Sequence, residues 1–104
     1  MWVVDVCGLP VDIALGTINA KGEYNADTNT IIINSNLPAE MVAWVLFHEV
    51  YHVFLYLIYG VEEDFPKLSR EQGCDLAGLF GPIAEDLCET ITAIQEALND
   101  RNAE

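Results

Sequence analysis

The sequence predicts an α+β domain: a small, mostly antiparallel sheet packed on one central helix and closed by a C-terminal helix. Three observations predict it. Short runs of β-forming residues, separated by turn formers, fill the chain before residue 36. A long apolar stretch with no turn residue then runs from Pro38 to Tyr59. The last third carries Leu87, Ile91, Ile94 and Leu98 at helical spacing. At 104 residues the chain is expected to form one domain, 1–104, with strands and turns in 1–36, the central helix at 38–59 and the last helix at 82–99.

Each element has a local reason. Trp2-Val3-Val4-Asp5-Val6 is β-rich and is closed by Gly8 and Pro10. Val11 to Ile18 alternates imperfectly and reads as a second strand, and Lys21 to Asn29 is dense in turn formers. Thr30-Ile31-Ile32-Ile33-Asn34 is the clearest strand. Ser35-Asn36-Leu37-Pro38 reads as a helix start, with a capping-type residue, Pro in the first turn and Glu40 near the positive end of the dipole. Gly60 is the stop. Glu62 to Ser69 reads as a connection broken by Pro66, Arg70 to Phe80 as a short helix weakened by Gly73 and Gly78, and Asn99 to Glu104 as a frayed polar tail.

Composition narrows the function classes. Four Lys+Arg against 17 Asp+Glu give a net charge of −13, which argues against nucleic acid or an anionic membrane as a partner. The 52% hydrophobic content argues against a disordered acidic tail. Cys7, Cys74 and Cys88 form no CxxC pair and no disulfide framework, and the N-terminus has no positive segment or cleavage site, so a cytoplasmic protein is expected. Between Met41 and Val61 only His48, Glu49, His52 and Gly60 are neither apolar nor aromatic, which almost meets the length rule for a membrane span. One acidic group at the centre of a span costs about 2.5–3.5 kcal/mol, and the flanks lack a Lys/Arg bias, so the stretch is read as the core helix of a globular domain.

That helix carries the chemistry. His48-Glu49-Val50-Tyr51-His52 is an HExxH pattern. On a helix His48 and His52 share one face and can offer two imidazole nitrogens to one metal. Glu49 lies about 100° round the helix, beside the metal, where a carboxylate can act as general base. One Zn2+ is the expected cofactor, because zinc suits imidazole and leaves a position open in catalytic sites. The plain alternative is a pair of core histidines bonded locally, but a Glu flanked by two His in an apolar helix is costly to bury without partners.

A third ligand must come from elsewhere. Glu71, Asp75, Glu85, Glu89, Cys74 and Cys88 are the downstream candidates. Glu85 leads, because its helix can pack antiparallel to the HExxH helix, with Glu89 one turn on to orient a ligand histidine. Glu71 and Glu89 are the alternative third ligands. Glu85 can equally be a carboxylate that only complements the helix dipole, and the cysteines can be small core residues. Tyr24 and Tyr51 are candidates to stabilise an oxyanion.

At this point the sequence resembles the zincin-like metallopeptidases of the HExxH…E (gluzincin) type, and is most similar to the minimal ImmA/IrrE-like proteins of phages and mobile elements. The residues that carry the likeness are Thr30–Asn34, Leu37-Pro38, Val45 to Phe54 and Glu85 to Ile91. The resemblance implies a minimal zincin-like domain acting as a zinc-dependent peptide hydrolase on a protein or peptide substrate in a bacterial cytoplasm. It also implies His48, His52 and Glu85 as ligands and Glu49 as base. Tyr51 departs from the small residue usual before the second His, and the interval from His52 to Glu85 is long. An extended substrate would pair with an edge strand near Thr30–Asn34. The acidic charge motivates a second expectation, a non-catalytic zinc-stabilised binding or decoy protein directed at a host protein.

Overall fold

The computed structural model describes residues 1–60 and 69–102. Four strands form one mixed sheet: β1 (Trp2–Val6), β2 (Leu9–Gly16), β3 (Gly22–Asn25) and β4 (Thr30–Asn34). Their spatial order is β1-β2-β4-β3. The pairs β1·β2 and β3·β4 are antiparallel, while β2·β4 is parallel, with Ile13 opposite Ile31 and Leu15 opposite Ile33. Three helices follow, α1 (Val42–Tyr59), α2 (Arg70–Gly78) and α3 (Ala84–Asn102). The α+β class and the layout of central and C-terminal helices match the expectation.

One face of the sheet makes the core. Val4, Val6, Val11, Ile13, Ile31 and Ile33 alternate inward and are fully or almost fully buried. They meet Val42, Val45, Leu46, Val50 and Val53 of α1 and Leu87, Ile91, Ile94 and Leu98 of α3 in one cluster. The helix spacing read from α3 is therefore its buried stripe. Gln95 Nε2 donates to the Ala39 carbonyl at 3.1 Å, which ties the far half of α3 to the turn that leads into α1. The radius of gyration is 13.7 Å, close to the roughly 13 Å of a compact chain of this length. Ala39–Tyr59 is long and apolar enough to cross a membrane by length and composition, and here it packs on the sheet and α3.

Several details differ from the sequence expectation. Gly22–Asn25 sits within the segment read as turn, yet pairs with β4; a four-residue strand of Gly, Glu, Tyr and Asn has little β signal of its own and is formed by its neighbour. Thr30–Asn34 lies inside the sheet, so the terminal strand on that side is β3. The entry to α1 is a short 3-10 turn, Ala39–Met41, whose cap is Pro38 without any side-chain bond. Asn34 Oδ1 instead accepts from the Asn36 N–H at 2.9 Å, a local turn that competes with capping. Finally, α3 continues to Asn102, past the expected end at Asn99.

The second strand is also offset, at Leu9–Gly16 against the expected Val11–Ile18, and α3 begins at Ala84 rather than Pro82, while two helix boundaries agree. Gly60 ends α1 in the left-handed conformation (φ 66°), where a side chain would be strained. Ser69 and Gln72 form a reciprocal capping box that starts α2, offsetting the glycines. The connection expected at Glu62 to Ser69 lies, through residue 68, outside the described residues, as do Ala103 and Glu104.

Candidate metal centre

The site is built on the first three turns of α1. Val42, Val45, Leu46, Val50 and Val53 commit one side of the helix to the core, which leaves His48 and His52 together on a half-buried face. Their Nε2 atoms are 3.2 Å apart, and the rings meet edge-on with centroids 4.8 Å apart and planes at 75°. Glu49 is on the side of α1 facing β3 and is only 5% exposed. The donor atoms of His48, Glu49 and His52 all lie within 4.8 Å of one another, so the three form a group that can hold a metal ion.

The distances fit that use. Two imidazole nitrogens on one zinc, at roughly 2.0–2.1 Å and a tetrahedral angle, stand about 3.3–3.4 Å apart. A direct N–H···N bond has a similar length. What favours a cation is the pair of imidazole nitrogens converging at the edge of the core, with the Glu49 carboxylate beside them. Among the described residues no buried side-chain nitrogen or oxygen lacks a partner, so the burial of Glu49 is compensated.

Strand β3 determines how closely the sheet approaches the site. At Gly22 an added Cβ would lie 2.6 Å from Val45 Cγ1 and 3.2 Å from Glu49 Cγ. Only glycine lets this strand lie against the turn of α1 that carries Glu49. Trp44, one turn before His48, stacks on its ring with centroids 5.2 Å apart and planes at 17°. Lys21, at the end of the β2–β3 connection, places its ammonium 5.4 Å from the centroid of the Trp44 ring. Gly22, Trp44 and Lys21 were not legible as site residues. The one sequence signal was the four-residue spacing of Trp44 from His48.

The structure does not bring the acidic candidates to the histidines. Among the described residues the metal-binding group is His48, Glu49 and His52 alone. Glu85 and Glu89 flank Leu87 at two residues either side, about 200° round α3 from its buried stripe, and both are exposed. Glu71 and Asp75 on α2 are exposed, and Cys74 and Cys88 are free, exposed thiols rather than core residues. Tyr24 donates its hydroxyl to Asn29 Oδ1 at 2.9 Å and meets Tyr56 edge-on. Burial, and then the neighbouring Tyr56, raise its pKa above the usual phenol value, so it is a neutral donor already engaged at the β3–β4 turn. Tyr51 is half-buried on α1.

Compared with protein-family models, with curated proteins and with solved structures, the chain matches none. The functional reading therefore rests on the residues themselves.

Proposed function

We propose that the protein is a minimal zinc-dependent peptide hydrolase of the zincin-like kind, acting on a protein or peptide substrate in the cytoplasm. The observation that carries this reading is the convergence of His48 and His52 with a buried Glu49 on one turn of α1. His48 and His52 would hold the ion through Nε2. Zinc, when bound, supplies Lewis acidity, which brings water toward a pKa of roughly 7.

The rest is work for the chain. Glu49 sits one residue from a ligand and faces β3, where its carboxylate can take a proton from water and pass it to the leaving amine. The Trp44 ring on His48 keeps that imidazole from turning away. Beside them β3 is the terminal strand, and an extended substrate adding there would run along α1 past Glu49. The exposed thiols of Cys7, Cys74 and Cys88 suit a reducing compartment.

The test is hydrolysis of an unstructured protein or peptide pool by zinc-loaded protein, beside Glu49→Gln. We expect cleavage by the wild type, none by the variant, and equal zinc in both. Equal cleavage by the variant would remove Glu49 from its role. The exposed acidic residues of α3, among them Glu85, Asp86 and Glu89, favour one other reading, a zinc-stabilised protein that occupies a basic site on a partner. Salt-sensitive binding to a basic protein without cleavage is the result that would favour it.

A further inference from the structure

The cleft beside the histidine pair has in its wall a cation, Lys21, that hydrolysis itself leaves unused. It has a volume of about 260 Å³, and its walls include Lys21, Gly22, Trp44, Val45, His48 and Glu49. That is smaller than the roughly 300–1,000 Å³ of sites that enclose a whole small ligand, and is the size for one side chain. Lys21 is not a loose surface lysine in its main chain. The Asn34 N–H donates to the Lys21 carbonyl at 2.9 Å, and Asn34 Nδ2 donates to the carbonyls of Ile18 and Ala20 at 3.0 Å each. Three hydrogen bonds from one residue of β4 thus fix the connection that carries Lys21. In a chain with only four Lys+Arg against 17 Asp+Glu, one of the four stands in the wall of the metal cleft.

We propose that this cleft is a one-residue subsite that selects a carboxylate on the substrate; the assignment rests on the peptide-hydrolase reading. The Lys21 ammonium receives the carboxylate, and the exposed Trp44 side chain beside it offers apolar contact to the methylene stem that leads to it. The surrounding acidic surface sharpens the choice. With a net charge of −13 the surface as a whole disfavours a carboxylate, and Lys21 offsets that field at this position. A basic side chain is drawn to the surface as a whole but opposed at this one position. The carboxylate can come from an internal Asp or Glu side chain or from a peptide C-terminus.

The test uses the zinc-loaded protein and one peptide frame. Acetylated, amidated peptides carry Glu, Gln or Lys at successive positions around the cleaved bond, and a Gln peptide with a free C-terminus isolates the second source. The first readout is kcat/KM. The second needs no turnover: binding to Glu49→Gln, followed by the Trp44 indole signal in NMR and assigned with Trp44→Phe. We expect Glu to exceed Gln at one position by about threefold or more, the scale of a partly exposed charge pair. Lys21→Met should abolish that preference, and Lys21→Glu should turn it toward Lys, both with zinc retained. A preference for the free C-terminus alone would assign the subsite to chain ends. Equal Glu and Gln in both readouts, or a preference that survives Lys21→Met, would overturn the subsite while leaving hydrolysis standing. Lys21-dependent binding of carboxylate peptides with no cleavage would uphold the subsite and remove the hydrolase reading.

Discussion

The two long helices treat their charged residues in opposite ways. On α3 the acidic residues obey the usual rule: Leu87, Ile91, Ile94 and Leu98 face the core, and Glu85, Asp86, Glu89, Glu96 and Asp100 face water. On α1 the rule is broken. Trp44, Leu57 and Ile58 are exposed, with Trp44 at 59%, while Glu49 is buried and the two histidines are half-buried. Carboxylates are rarely buried, and Glu49 is buried with its polar atoms partnered, which sets it apart from the exposed acids of α3. The difference teaches that acidic residues alone do not mark a site in this chain. The informative carboxylate is the one that is on the wrong side of its helix.

The comparison can be broken or sharpened by substitution. The largest effect is expected from Glu49→Gln, which should lower peptide hydrolysis by about 100- to 10,000-fold, the range of a general base, with zinc content and circular dichroism unchanged. Removing a donor should act on the metal instead. His48→Ala or His52→Ala should weaken zinc binding, measured by competition with a chelator, by more than the roughly 10- to 100-fold that loss of a supporting partner costs. Leu87→Ala probes the ordinary helix and should cost about 2–5 kcal/mol in urea denaturation without touching zinc affinity.

A smaller effect is expected where the strand meets the site. Gly22→Ala should destabilise the fold by about 1–3 kcal/mol, because its new methyl group meets Val45 and Glu49, and should lower hydrolysis more than zinc binding. The smallest effects should come from the exposed carboxylates. Glu85→Ala, Glu89→Ala and Glu71→Ala should each change stability by no more than about 0.5 kcal/mol and leave zinc stoichiometry intact. Loss of zinc from any one of these three would erase the contrast between the helices and restore that residue as a third ligand.

Much of this contrast is legible in the sequence. The apolar run from Met41 to Tyr59, the helical spacing from Leu87 to Leu98 and the β-rich Ile31 to Ile33 are strong local signals, and each became the expected element. The pairing of His48 with His52 follows from helix geometry alone, since residues four apart share a face whatever surrounds them. Glu85 was harder to judge. Its spacing from Leu87 already placed it off the apolar stripe, but only packing shows that the stripe faces α1 and the sheet, and hence that Glu85 faces water. Strand β3 was invisible because its four residues have no β preference without β4 beside them.

The sequence by itself determined the class of fold and the identity of the histidine–glutamate group, because both follow from contacts within a few residues of one another. The tertiary structure alone decided that β3 is the terminal strand, that Gly22 presses it against Glu49, and that Trp44 and Lys21 wall the cleft beside His48. These relations join residues 20 to 30 positions apart. Which strand edge and which helix face meet is set by how the whole core closes, and no local pattern of residues encodes it.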